Sequence, residues 1–468
     1  KESLPKESLP KESLPNNQQP TTNNKPMIIP SKRAFLLLGL GMAIALFAAQ
    51  WFTQSVALMM TLGFDGLILG MVFLDGFRVK FQRGEISRTP LGKLSIGRDN
   101  PVTLTVRSPA TTAQISIRDG YPLQFKVSAK ELQATLTANS SQELTYTVHP
   151  GDRGQFEWGD IQVRQLGQWG LAWHQWSVKQ PQTVAVYPDL VGLRSLTIRL
   201  TLQSTGSLRS SRRFSMGTEF AELREYTQGD DPRMIDWKAT ARRTGLSGHN
   251  PLQVRVLEAE REQTLIILLD RGRLMTARVK GLQRFDWGLN AALGLALAGL
   301  NRGDRVGVGV FDREVVTWMP PERGQHQLSH LLERLTPIQP VLWEPDYMGA
   351  VTKVAKQQSR RALVVLITDI IDVTASAELL AAMQRLAPRY LPFCVTLRDP
   401  QVDAIAHTST LEIPQTYERA VALDLLAQRQ VAFAQLRQKG VLVLDAPAHE
   451  ISDQLVDQYL RLKARNQL

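Results

Sequence analysis

Residues 34–64 contain no charged side chain, and no other feature of the chain restricts its folding as strongly. Backbone polar groups placed in an apolar medium must bond to one another, so a stretch of this kind is helical. About 20 apolar residues cross the hydrocarbon core of a bilayer. The spacing predicts one helix over 34–52 and a second over 56–74, with a tight turn at 53–55. Lys32 and Arg33 precede the pair, and Arg78, Lys80 and Arg83 follow it. Positive residues at both outer ends predict a two-pass protein of the inner (plasma) membrane, with both termini and the soluble domains cytoplasmic. The alternative is a re-entrant second segment with the downstream domains outside. A cleaved signal peptide fits poorly, because the stretch is too long and a second apolar stretch follows at once. Asp65 falls in the middle of the second helix, where translocon scales charge about 2.5–3.5 kcal/mol. It is expected either to meet a partner or to face the first helix.

The 468 residues are enough for several domains, and a hydrophobic content of 43% can bury their cores. Residues 1–30 begin with KESLPKESLPKESLP and continue with a polar stretch. Such a segment buries too little apolar surface to offset ordering, so a disordered tail is expected. The net charge of +11 suits nucleic acid, anionic lipid or solubility alone. The single Cys394 excludes an internal disulfide framework and a multi-cysteine zinc site. Its apolar setting, LPFCVTL, indicates a buried structural cysteine.

From 84 to about 190, VTLTVRS, AQISIRD, LQFKVSA, LQATLTA, ELTYTVHP and QTVAVYP alternate apolar and polar residues. Short strands at near-regular spacing predict an antiparallel β-sandwich over 84–190. Trp158, Trp169, Trp173 and Trp176 belong to its core and rim, or form a stacking surface. A charged segment spans 201–263. From 264 to 468 continuous apolar strands (TLIILLD, RVGVGVFD, ALVVLITDI, YLPFCVTL, VLVLDAP) alternate with amphipathic helices. That alternation predicts a doubly wound α/β domain with helices on both faces.

Ligands of open α/β sheets bind at the carboxyl ends of the strands. Asp270, Asp312 and Asp369 end three of these strands, and Thr368 adjoins Asp369. Carboxylates and a hydroxyl there could make a hard oxygen site for Mg²⁺ from Asp270, Thr368 and Asp369. This resembles the von Willebrand factor A domain, whose metal site uses an Asp-x-Ser-x-Ser strand end with a distant Thr and Asp. Here the run is Asp270-Arg271-Gly272-Arg273-Leu274, without either serine and with two arginines, which give no oxygen ligand. The other reading pairs Asp270 with a local arginine. No phosphate loop, Gly-x-Ser-x-Gly elbow or His-Glu-x-x-His helix is present. His326 and His330, four apart, read as surface polarity.

The segment 201–263 carries ten Lys/Arg and nine Asp/Glu. Near-balanced charge argues against a nucleic-acid stripe, which needs a positive excess. It suggests an ion-pair network instead. The spacing of Phe220, Leu223 and Tyr226 predicts a short helix in AELREYT, with Phe220 and Leu223 inward. GDDP predicts a turn. MIDWKATARR predicts a second helix with Asp236 at its amino end and Arg242 and Arg243 at its far end, as the dipole favours. Ile235 and Trp237 are expected to anchor the segment.

The run Gly217-x-Glu219-Phe220-x-x-Leu223-Arg224-Glu225-Tyr226-x-x-Gly229-Asp230-Asp231-x-Arg233-x-Ile235-Asp236-Trp237-Lys238-x-Thr240-Ala241-Arg242 looks like the hallmark of the bacterial domain-of-unknown-function 58 family. RGQFEWGDIQV, GQWGLAW and VAVYPDL resemble its upstream pattern. Gly167-Gln168-Trp169-Gly170-Leu171 stands where that pattern commonly reads Asp-Pro-Phe-Gly-Leu. The resemblance spans about 34–400. It implies a transmembrane hairpin, a β-rich segment and a von Willebrand factor A-like domain. It implies no established activity. Members are often encoded beside MoxR-type AAA+ ATPases and transglutaminase-like membrane proteins, which implies those partners and assembly work.

Three functions compete on these residues. The first is a membrane-anchored interaction module without enzymatic activity, docking a cytoplasmic MoxR-type ATPase. The second is a divalent-metal-dependent binding domain. The third is a hydrolase using Asp230, Asp231 and Asp236 as acid–base groups.

Overall fold

The computed structural model describes residues 27–48, 50, 54–108, 111–207, 219–228, 230–243, 252–258, 263–371, 376–408 and 413–465. The chain divides into two compact units, Lys1–Val186 and Tyr187–Leu468.

The first unit opens with helices Lys32–Ala48 and Gln54–Phe81. Among the described residues one helical stretch, Leu58–Phe81, is long and apolar enough to cross a membrane, and only 17% of its most apolar window is buried. Of the two expected spans, the first is helical over Lys32–Ala48, its last residues falling largely outside the described ones, and the second continues past residue 74. The continuation has a local cause. Asp75 is 1% exposed, and its carboxylate accepts from the backbone N–H groups of Trp169 (3.1 Å), Leu171 (3.0 Å) and Ala172 (3.2 Å). Three donors offset the cost of burying the charge. Gly167 lies so close to that carboxylate that any side chain there would collide with it. Ser31 holds the same loop from the other side, donating from Oγ to Gly170 O (2.6 Å) and from its backbone N–H to Leu171 O (2.8 Å). Leu171 and Ala172 pack with Ala34, Ile68 and Val72 of the two helices. Asp65 faces Gly41 of the first helix.

The expected tail to residue 30 lies outside the described residues up to 26. Its last four residues are not a tail. Met27–Pro30 is a strand, antiparallel to residues 172–175. This strand is the edge of a five-stranded antiparallel sheet, and the other strands of the unit form a four-stranded antiparallel sheet and a three-stranded sheet. Strand Asn100–Arg107 buries Val102, Leu104 and Val106 and turns the residues between them outward. A buried Arg88–Asp119 pair (2.8 Å) lies within the unit, and Asp119 also accepts from Tyr146 OH (2.6 Å) and Trp158 Nε1 (3.2 Å). Trp158 and Trp176 are core residues, whereas Trp169 is 42% exposed. The strand expected in LQFKVSA shrinks to Lys126–Val127.

The second unit is built on a six-stranded sheet: β1 (Thr264–Asp270), β2 (Arg305–Phe311), β3 (Val315–Glu322), β4 (Leu363–Thr368), β5 (Leu391–Arg398) and β6 (Leu442–Pro447). The spatial order is β3-β2-β1-β4-β5-β6, all parallel except β3, which runs antiparallel to β2. The order reverses between β1 and β4, the switch point at which doubly wound sheets open a crevice. Helices Arg284–Asn301, Gln325–Leu335 and Ile451–Ala464 bury their apolar stripes on one face. Tyr347–Gln357, Ala377–Leu386 and Ile413–Gln438 cover the other. Two elements go beyond the sequence-based expectation. Strand β3 carries Pro320 and Pro321, tolerable because it is the edge strand. Leu190–Ser207 is a helix whose Leu193, Leu196 and Leu200 pack on the core. The charged segment expected from 201 therefore begins inside that helix, and the β-rich part ends at Tyr187.

Candidate functional site

The switch point brings together the sequence-predicted Asp270 and Thr368. Asp270 ends β1 and Thr368 ends the adjacent β4, both fully buried. Asp270 Oδ2 accepts from Thr368 Oγ1 (2.6 Å) and Tyr347 OH (3.2 Å), while Oδ1 accepts from Gly272 N (2.7 Å). Burial pushes the Asp270 carboxyl up to about 6, against the opposing pull of its Thr368, Gly272 and Tyr347 hydrogen bonds. Burial, followed by the Asp270 charge, raises the Tyr347 phenol above its ordinary value. Gly272 permits this turn. A Cβ there would meet Trp343 O at 2.8 Å and Asp270 Oδ1 at 3.0 Å.

Asp369 meets two arginines. Arg284 Nη1 donates to its Oδ2 (2.7 Å) and Arg429 Nη1 to its Oδ1 (2.8 Å). Arg429 Nη2 also donates to Asp445 Oδ1 within β6 (2.8 Å). Burial opposes the Arg429 charge, but Asp369 and Asp445 outweigh it and raise its pKa. Asp312, ending β2, accepts from Arg271 Nε (2.7 Å). The expected pairing of Asp270 with a local arginine is not what forms. Its hydroxyl and amide donors take that place, and the arginines go to its neighbours.

These residues do not fit a resident divalent cation. Both Asp270 oxygens already accept from protein donors, and both Asp369 oxygens face guanidinium groups. A cation needs free oxygen lone pairs and no adjacent like charge. Among the described residues no group of three or more His, Cys, Asp or Glu could hold a metal ion. Cys394 is fully buried beside Arg429, and burial pushes its thiol up to about 12. His326 and His330 are exposed on helix Gln325–Leu335.

The charged segment departs from its expectation first in its secondary structure. Glu219–Glu225 is a strand, not a helix, paired antiparallel with Gln253–Glu258 through a bulge at Phe220/Glu222. The three-residue spacing of Phe220, Leu223 and Tyr226 lost to cross-strand pairing with the β-branched LQVRV run. Leu223 is exposed, not inward. Arg224 pairs with Asp230 (2.5 Å), which also accepts from Thr227 N (2.9 Å). The Arg224 bond, then Thr227, holds the Asp230 carboxyl below its ordinary range. Asp231 accepts from Arg233 N (3.0 Å) at the start of the turn Pro232–Met234.

Helix Trp237–Arg243 forms as the dipole argument requires. Asp236 Oδ1 accepts from Lys238 N and Ala239 N, both at 3.0 Å, and Oδ2 accepts from Arg255 Nε (2.7 Å). Arg255, then the Ala239 amide, keeps Asp236 below the ordinary carboxylate range. Gln253 ties the helix to the ribbon. Its carbonyl accepts from Asp236 N (2.8 Å) and its N–H donates to Thr240 Oγ1 (3.0 Å). Trp237 is no anchor: it is 67% exposed. Glu225, Arg233, Lys238 and Arg242 are exposed and Tyr226 is half-buried. Glu219 and Phe220 lie in the strand, and Gly217 and Gly229 lie outside the described residues. Acids held ionised by arginines and amides are poor proton donors near neutral pH, so Asp230 and Asp236 act as braces. Sequence reasoning missed Asp75, Arg255, Arg284, Tyr347, Arg429 and Asp445. None has a spacing signal, because each meets its partner only through tertiary folding.

Against known proteins, the profile of the family described as protein of unknown function DUF58 matches residues 222–434. The uncharacterized proteins Mb1516 of Mycobacterium bovis and Rv1480 of Mycobacterium tuberculosis are each 26% identical over 187 residues, 40% of this chain and 56% of theirs. The chain thus spans about half the length of the curated relatives it matches. Among solved structures, the conserved hypothetical protein BatB from Bacteroides thetaiotaomicron matches at 15% identity and a TM-score of 0.30, over 43% of this chain and 99% of that one. An aerotolerance-related membrane protein from Bacteroides fragilis matches at 14% identity and a TM-score of 0.28, over 42% and 99%.

Proposed function

We propose that the chain is a membrane-anchored interaction module whose charged ribbon docks a cytoplasmic partner, a MoxR-type AAA+ ATPase. The two amino-terminal helices are its anchor, as a two-pass hairpin of the plasma membrane with the soluble domains cytoplasmic. The second unit is a von Willebrand factor A-like domain without a working metal site. Its six-stranded order with one antiparallel edge strand supports that reading. The observation that carries the docking function is Trp237. A large aromatic side chain stands 67% exposed on a short helix whose mounting is braced by Asp236, Arg255, Thr240 and Gln253. Pre-organised aromatic side chains of this kind dominate interface energies. Lys238 and Arg242 beside it supply charge to the rim.

The test is affinity capture of the full-length chain from its own membranes with Trp237→Ala. Loss of AAA+ ATPase recovery, with Cys394 still protected from thiol reagents, is the expected outcome. Undiminished recovery by the variant refutes the docking role. Removing an exposed side chain should shift stability by no more than about 0.5 kcal/mol, so folding does not confound the result.

A further inference from the structure

Two residues beyond the end of helix Gln54–Phe81, a groove of about 580 Å³ opens between strands of the first unit. Arg83, Glu85, Ser87, Thr105, Arg107 and Trp176 are among its lining. Strand Glu85–Arg88 pairs with Asn100–Arg107 so that Glu85 lies opposite Arg107 and Ser87 opposite Thr105. The period of two puts these four side chains on one face, while Ile86 and Arg88 turn into the core. Trp176 forms the apolar wall.

Arg83 is held in an unusual way. Arg88, Arg284 and Arg429 each face an aspartate. Arg83 Nη2 instead donates to His174 Nε2 (2.9 Å), and its guanidinium lies over the Trp176 ring, 5.4 Å from the centroid. Accepting at Nε2 puts the imidazole proton on Nδ1 and leaves the ring neutral. Burial, then Arg83 and Lys80, lowers the His174 pKa and favours that form. A neutral ring orients a guanidinium without cancelling its charge. Among the described residues Arg83 Nη1 has no partner and Arg107 forms no ion pair. Two guanidinium groups against the single carboxylate of Glu85 leave the groove positive, with the Ser87 and Thr105 hydroxyls between them.

We propose that this groove binds a phosphodiester. Arg83 and Arg107 take the phosphate oxygens, Ser87 and Thr105 donate to them, and Glu85 accepts from a hydroxyl of the esterified alcohol. Arginine forks match phosphate geometry, and such charge-assisted bonds are the strong ones. The source of the phosphodiester is a lipid headgroup, and that half rests on the membrane reading above. Arg78 stacks on the exposed Trp169 ring at the same end of the helix, 4.6 Å from its centroid, the pairing expected where a helix leaves the bilayer.

The full-length chain is reconstituted in nanodiscs of phosphatidylcholine with and without phosphatidylglycerol, and lipid retention is read by native mass spectrometry. In detergent the same protein is titrated with glycerophosphoglycerol and with inorganic phosphate. Arg83→Gln and Arg107→Gln are each compared with Arg118→Gln, an exposed arginine outside the groove lining. Selective retention of phosphatidylglycerol, cut roughly tenfold by either groove variant and unchanged by Arg118→Gln, supports the lipid headgroup. Arginine-dependent binding of the soluble phosphodiester without lipid preference supports the groove and transfers it to a soluble ligand. That result stands even if the chain proves extractable from membranes by carbonate, which would sink the anchor alone. Arg107 is exposed, so its variant stays folded if Arg83→Gln does not. No arginine-dependent binding in either arm overturns the proposal.

Discussion

Replacing Asp270 with Asn should change how the second unit responds to pH. The carboxyl is buried and its pKa stands at about 6, against 3.8 for an ordinary aspartate. The folded state therefore holds the proton more tightly than the unfolded state does. Its contribution to stability is complete below the unfolded pKa and is lost as pH rises through about 6. A shift of about two units is worth about 3 kcal/mol, of which roughly half disappears between about pH 5 and about pH 8. Cys394 gives the assay. It is the only cysteine of the chain and is fully buried on β5. Thiol-labelling rates of full-length protein, corrected for thiolate fraction, report how often the unit opens. From acid to alkaline pH, the wild-type opening population should rise roughly tenfold relative to Asp270→Asn. Asn keeps an acceptor for Gly272 N, and the Thr368 and Tyr347 hydroxyls can rotate to accept from its amide. A wild-type to variant ratio that stays constant across this pH range would refute the titration of Asp270.

Asp75→Ala leaves three backbone N–H groups of the 167–172 loop without acceptors and should destabilise the first unit by about 3–5 kcal/mol, seen as faster hydrogen exchange at Leu171 and Ala172. Unchanged exchange there would show that the loop is held otherwise. Arg429→Leu leaves Asp369 with Arg284 alone and Asp445 with Thr396 and Arg398, and should cost about 1–3 kcal/mol, with Cys394 labelling accelerating while exchange at Leu171 stays constant. Magnesium should not slow Cys394 labelling, since the carboxylates are already engaged. Protection growing with the logarithm of its concentration would reveal a site after all.

Much of this architecture is legible in local pattern. Short continuous apolar runs rich in Ile and Val, such as TLIILLD and ALVVLIT, indicate strands buried on both faces, and they are β1 and β4. Alternation in NPVTLTVR gives a one-sided strand. Asp236 before Trp237 gives a capped helix. These signals are local because backbone hydrogen bonding and the apolar period act over a few residues. Where two local patterns conflict, tertiary pairing decides. The spacing of Phe220, Leu223 and Tyr226 suited a helix until the Gln253–Glu258 strand supplied a ladder for it.

The chemistry of the strand ends is a matter of side-chain reach. The sequence alone determined that Asp270, Asp312 and Asp369 would sit at the carboxyl ends of strands. Only the tertiary structure decided that Arg284 and Arg429, 85 and 60 positions away from Asp369, would fill the space beside it. In the same way, an apolar helix with one acid near its end is visible in residues 54–81, whereas the mating of Asp75 to a loop 94 positions later is not. Charge neutralisation acts through space over a few ångströms and carries no period along the chain, so folding alone chooses its partners.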